Sequence, residues 1–119
     1  MAKGDDIEER LIDFAVRIIK LCENLPDSRT GNHLAGQLVR SGTSPAAHYA
    51  EARGAESVKD FIHKLRLCLK ELNESRTWLS IISKSDLLPE RRLAELLHEN
   101  DELCRIINAS LQTAKKRES

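Results

Sequence analysis

Apolar residues recur at intervals of three and four along four stretches of the chain, the spacing that gathers side chains onto one face of an α-helix. Ile7, Leu11, Phe14, Ala15, Ile18, Cys22 and Leu25 form the first stripe and predict a helix over about 5–24, with Asp5, Asp6, Glu8 and Glu9 suited to its positive N-terminal end. Pro26-Asp27-Ser28 then breaks the chain and supplies an N-cap, so a second helix is expected over about 28–53. Its inner face, Leu34, Leu38, Ser41, Gly42, Pro45, Tyr49 and Ala52, is mostly small, which lets neighbouring backbones approach closely. Pro45 removes the amide that would bond the carbonyl of Ser41, and predicts a kink near 41–45 rather than a full break, because the register survives across it.

Arg53-Gly54-Ala55-Glu56 forms the next connection, with Gly54 placed as a left-handed C-terminal cap and Ser57 as the next N-cap. The third helix, about 57–84, carries two apolar stripes. Val58, Phe61, Ile62, Leu65, Cys68, Leu69, Leu72 and Leu79 make a core face. Leu67, Trp78 and Ile81 project from roughly the other side, where a monomer normally shows charge. Ser85 to Leu88 lead to Pro89, the first residue of a fourth helix over about 89–115, striped by Leu93, Leu96, Leu97, Leu103, Cys104, Ile107, Leu111 and Ala114 and followed by a polar tail. Short connections between long helices force neighbours to run antiparallel. The expected fold is therefore all-α, an up-down-up-down four-helix bundle making one domain of residues 1–119.

Composition narrows the function classes. Nineteen basic and nineteen acidic residues cancel, so nucleic-acid contact, if it occurs, needs a local patch rather than global attraction. Cys22, Cys68 and Cys104 are widely spaced and odd in number, which predicts reduced thiols within the bundle rather than a disulfide framework. No apolar run approaches the ~20 residues of a membrane span, and no signal-peptide pattern is present, so a cytoplasmic protein is expected.

Gln37-Leu38-Val39-Arg40-Ser41-Gly42-Thr43-Ser44, followed by Ala47-His48-Tyr49-Ala50-Glu51-Ala52, resembles the hallmark of the bacterial four-helix-bundle family called 23S rRNA intervening-sequence proteins. Asp60-Phe61-Ile62-His63-Lys64-Leu65 and Leu69-Lys70-Glu71-Leu72 are similar to its third helix, and the likeness spans roughly residues 10–112. Two positions depart from the family pattern: Pro45 stands where an apolar residue is usual, and His48 where Asn is usual. The resemblance implies a ring-shaped homopentamer without an assigned activity, some members being encoded inside inserts in ribosomal RNA genes. It also relates the chain to accessory proteins of diversity-generating retroelements, which bind nucleic acid and a reverse transcriptase through basic surfaces.

Two surfaces are candidates for function. Leu67, Trp78 and Ile81, joined by Ile12, Val16 and Ile19 on the flank of the first helix, are read as an oligomer interface; the alternative is that they widen the monomer core. Lys59, His63, Arg66 and Lys70 recur on one flank of the third helix. With Arg53 and the run Lys115, Lys116 and Arg117, they form a basic rim able to contact RNA or DNA phosphates. The alternative is an ordinary solvated face, or pairing with the acidic ridge Glu95, Glu99 and Glu102 across a subunit boundary.

Other chemistry finds less support. Glu95-x-x-His98 and Asp60-x-x-His63 imitate half of a di-iron carboxylate pattern, but both pairs lie away from the apolar stripes, so no metal or cofactor is expected. Ser41, Ser44, His48 and Glu51 form the richest polar cluster without any Gly-rich loop to build an oxyanion site, and are read as hydrogen-bonding groups between helices or subunits. Arg40 and Arg76 are expected to cross to neighbouring acids, and Asn100, near the fourth core stripe, to specify register. The reading is a non-enzymatic homo-oligomeric scaffold or binding module, with an accessory nucleic-acid-binding protein as the alternative.

Overall fold

A computed structural model describes residues 4–118; Met1 to Lys3 and Ser119, the ends of the expected domain, lie outside the described residues. Four helices follow in order, α1 (Asp5–Cys22), α2 (Arg29–Arg53), α3 (Val58–Lys84) and α4 (Glu90–Glu118). They form an antiparallel four-helix bundle measuring 48 × 25 × 23 Å. Both α1 and α3 pack on α2 and on α4, while α1 faces α3, and α2 faces α4, across the diagonals. The α1–α4 seam is the most sparsely packed of the four.

The helix boundaries follow local chemistry. Ser28 and Ser57 adopt extended backbone and cap α2 and α3, their hydroxyls accepting from the amides of Gly31 (3.0 Å) and Asp60 (3.0 Å). Gly54 is not the left-handed cap that its type suggested; its φ is −97°. Left-handed backbone falls instead on Asp86 (φ 57°) between α3 and α4, where a short polar side chain tolerates that conformation and the following Leu88 is buried. The expected tail after residue 115 is helical: α4 continues to Glu118, so Lys115, Lys116 and Arg117 lie in its last turn, where cations suit the helix dipole.

The core is mostly aliphatic, with Phe14 and Tyr49 as its buried rings. Leu11, Phe14, Ile18, Leu38, Leu65, Leu72, Leu79, Ile82, Leu93, Leu103 and Ile107 are almost wholly enclosed. Val58, expected in the core, is exposed, because it opens α3 at the end of the bundle before the neighbouring helices can cover it. Phe61, Leu69 and Cys104 are half-buried at the margin.

The small face of α2 admits its neighbours. A Cβ built on Gly42 would lie 2.8 Å from Cγ2 of Ile18, so α1 rests directly on that backbone. A Cβ on Gly31 would collide with the carbonyl oxygen of Pro26, which turns back beneath the first turn of α2. On the other side, Ser75 Oγ of α3 donates to Ser41 Oγ (3.1 Å). α2 runs unbroken through Pro45. Around the turn that loses its amide, Thr43 Oγ1 donates to the carbonyl of Val39 (2.7 Å) and Ser44 Oγ to that of Arg40 (2.6 Å). The carbonyl of Pro45 itself accepts from Cys68 Sγ at 3.4 Å.

Polar groups within the bundle are partnered. Arg40 of α2 reaches Glu71 (2.8 Å) and Glu74 of α3, and Arg76 of α3 reaches Asp101 (2.6 Å) of α4, as the expectation of crossing arginines required. Asn100 of α4 is fully buried. With its amide oriented to satisfy both neighbours, it donates to the carbonyl of Leu72 (3.1 Å) and accepts from the amide of Arg76 (3.3 Å), so α4 is pinned to one register on α3.

Truncating Leu65, wholly enclosed, to alanine should cost about 2–5 kcal/mol, whereas the half-buried Leu69→Ala should cost less. Chemical denaturation of both variants checks this, and equal losses would contradict the observed register of α3.

Candidate functional site

The two apolar stripes expected to form one interface occupy different corners of the bundle. Ile12 (42% exposed), Val16 (43%) and Ile19 (40%) line the outside of α1 at i, i+4 and i+7. Ile81 (39%) is equally exposed on α3, but its neighbour Trp78 is half-buried, as is Leu67 several turns earlier on the helix. Trp78 packs against the core, donates from Nε1 to Glu74 Oε2 (3.0 Å) and meets the ring of His33 edge-on with centroids 6.0 Å apart. Since α1 and α3 stand diagonally across the bundle, the residues make two patches rather than one continuous surface.

The basic rim is also divided. Lys59, His63, Arg66 and Lys70 are exposed and make no side-chain hydrogen bond or ion pair with any described residue. At a rise of ~1.5 Å per residue, they extend over roughly 16 Å of α3. Arg53 differs, because its guanidinium is held by Asp5 (2.8 Å) and Glu8 (3.0 Å) of α1, which raise its pKa above the ordinary value. Arg53 and Arg117 nevertheless line one groove of about 580 Å³ at the end of the bundle, with Tyr49 and Phe61 in its wall. Lys115 is half-buried in the last turn of α4, and Lys116 and Arg117 are exposed.

The acidic ridge is engaged within the chain. Glu99 accepts from Arg10 (2.6 Å), Glu95 lies 3.7 Å from Arg17, and Glu102 lies 3.3 Å from Arg105 and 3.9 Å from His98. These ion pairs span the sparse α1–α4 seam or run along α4, and of them only Arg10–Glu99 is a direct hydrogen bond. The Glu99 carboxylate also raises the pKa of the Arg10 guanidinium that it faces.

The polar cluster on α2 separates into structural bonds. Ser41 meets Ser75, Ser44 bonds back to its own helix, and His48 Nδ1 lies 3.3 Å from Glu51, which also approaches Lys64 of α3 at 3.8 Å. Among the described residues, no three His, Cys, Asp or Glu side chains gather as a metal site, and no helix is long and apolar enough to cross a membrane. Burial pushes the Cys22 thiol up to about 11 and the Cys68 thiol to about 12, and also raises that of half-buried Cys104.

A further basic surface was not singled out by the sequence reading. Arg17 and Lys20 of α1 converge with Arg91 and Arg92 of α4 on a depression of about 460 Å³. The two pairs are more than seventy residues apart and follow no common periodicity. The available signal was Arg91-Arg92 in the first turn of α4, directly after Glu90, because basic residues there oppose the helix dipole.

Fold and surface together define a small all-α bundle with polar crosslinks between its helices. The chain belongs to the 23S rRNA-intervening sequence protein family, whose model matches residues 5–109. It is similar to a protein of unknown function from the S23 ribosomal protein family of Bacteroides thetaiotaomicron VPI-5482. The two chains are 30% identical with a TM-score of 0.83, over 88% of this chain and 97% of that one. No curated protein matches the chain.

In the folded protein, Cys104 should react first with a thiol reagent near pH 8, and Cys22 and Cys68 only on the timescale of unfolding. A raised thiol pKa favours the fold while the group stays neutral. The Cys22 and Cys68 contribution is therefore complete below about pH 9 and declines as pH rises through about 11 and about 12. Alkaline unfolding curves of Cys22→Ala and Cys68→Ala, with less pH dependence in that window than the wild type, check the sign.

Proposed function

We propose that the chain is a non-enzymatic, homo-oligomeric scaffold or binding module of the cytoplasm, its copies joined through the outer faces of α1 and α3. The observation that carries this reading is the line Ile12, Val16 and Ile19, three branched aliphatic side chains each about two-fifths exposed on successive turns of α1. Leaving such a line in water forfeits burial worth roughly 25 cal/mol per Å² of apolar surface. Separate patches at the α1 and α3 corners suit a head-to-tail contact, in which one face of each subunit meets a different face of the next and the assembly closes as a ring. Five copies is the number that the family resemblance implies.

Sedimentation of the wild type should give a multiple of 13.4 kDa, and Val16→Glu should shift it toward monomer with helicity retained. Val16 is preferable to Trp78 for this purpose, since Trp78 also packs against the core of its own subunit. A wild-type chain sedimenting as a monomer at micromolar concentration would overturn the reading.

The second reading, an accessory RNA- or DNA-binding protein, rests on the unpartnered row Lys59, His63, Arg66 and Lys70. A ring would multiply that row around its rim, and the absence of aromatic residues from it suits sequence-blind phosphate contact rather than base stacking. Retardation of RNA or DNA at low salt should weaken in Lys59→Ala/Lys70→Ala, with a shallower dependence on salt. Absence of retardation at micromolar protein would end this reading.

A further inference from the structure

The first turn of α4 is built against its own electrostatics. A helix N-terminus carries partial positive charge and favours acids, yet after Glu90 the chain places Arg91 and Arg92. Both turn toward the sparse α1–α4 seam, where Arg17 and Lys20 of α1 line the same open depression of about 460 Å³, floored by Leu21 and Leu96. Lys20, Arg91 and Arg92 form no ion pair or side-chain hydrogen bond with any described residue. The one carboxylate in the wall, Glu95, is 85% exposed and stands 3.7 Å from Arg17, too long for a direct hydrogen bond. Three positive charges are left uncompensated, and the dipole of α4 adds to them. Such an arrangement is unfavourable in the empty protein and becomes favourable when an anion occupies it.

We infer that Arg17, Lys20, Arg91 and Arg92 form a binding site for a compact polyanion bearing two or three phosphate groups. The depression is open to solvent, so charge rather than enclosure holds the ligand. Three arginines supply planar forks that match phosphate oxygens, and no aromatic ring is present to stack a base, so the phosphates themselves are what is read. The site is distinct from the basic row of α3. It lies where α1 ends and α4 begins, whereas Lys59 to Lys70 occupy the opening half of α3 at the other end of the antiparallel bundle. The phosphates can belong to a free polyphosphate compound or to successive links of a phosphodiester backbone.

Calorimetric titration of the full chain with inorganic tripolyphosphate at low salt should show saturable binding that weakens as salt rises. Arg91→Ala/Arg92→Ala should weaken it by about tenfold or more, while Arg105→Ala, on another part of α4, leaves it unchanged. Because both replaced arginines are exposed and oppose the helix dipole, the double variant should melt no lower than the wild type without ligand, which separates a lost site from a lost fold. A parallel titration with a short RNA distinguishes the sources. RNA binding that falls in the double variant assigns backbone phosphates; RNA binding that holds while tripolyphosphate binding is lost assigns a free polyphosphate. Absence of tripolyphosphate binding at millimolar concentration, or affinity undiminished in the double variant, would overturn the site.

Discussion

The seating of Ile18 on the bare backbone of Gly42 is the contact on which the bundle depends. It fixes how closely α1 can approach α2, and one residue earlier Ser41 sets the approach of α3 from the other side through Ser75. α2 is therefore the helix around which its neighbours are gauged, and its low content of large side chains is a requirement rather than a weakness. The proline in its middle is tolerated for the same reason. Its surroundings are a packed interface, the adjacent hydroxyls are satisfied within the helix, and its carbonyl finds the Cys68 thiol.

Polar groups within the bundle add pairing specificity to this gauge. Arg40 with Glu71 ties α2 to α3, and Asn100 ties α4 to α3 through the backbone at Leu72 and Arg76. A purely aliphatic interior would tolerate sliding by a turn; these bonds do not, because a slipped helix would leave an amide or a carboxylate without a partner. The α1–α4 seam is held differently, by the exposed or half-exposed pairs Arg10–Glu99 and Arg17–Glu95 over sparse packing. The side of the bundle least committed to its own core is thus also the side on which Arg17, Lys20, Arg91 and Arg92 converge.

Helix number, order and core faces were legible in the sequence, because a period near 3.6 is imposed directly by burial and survives reading one residue at a time. The serine caps were legible too, since their chemistry is local. What escaped depends on neighbours. Val58 has the right spacing but lies beyond the reach of the other helices, Gly54 has the right type but the wrong torsion, and Trp78 projects from an outer stripe yet is drawn in by Glu74 and His33. The surfaces were the least legible. Whether Arg53 is available or held, and whether Arg17 meets Arg91, follows from which helices lie side by side, and no periodicity within one helix encodes that.

Gly31 illustrates a different kind of sequence constraint. Its torsions are open to any residue, so conformational preference would allow replacement, and helix propensity would welcome it. The prohibition comes from outside, from the Pro26 carbonyl that occupies the volume of the missing side chain. The two positions thus act as a hinge with a single setting: a bulkier residue at 31 would have to swing the whole α1–α2 corner outward. A change to the length or composition of that corner would release position 31 from being glycine. Freedom to vary at this point of the chain is therefore held jointly by two residues rather than by either alone.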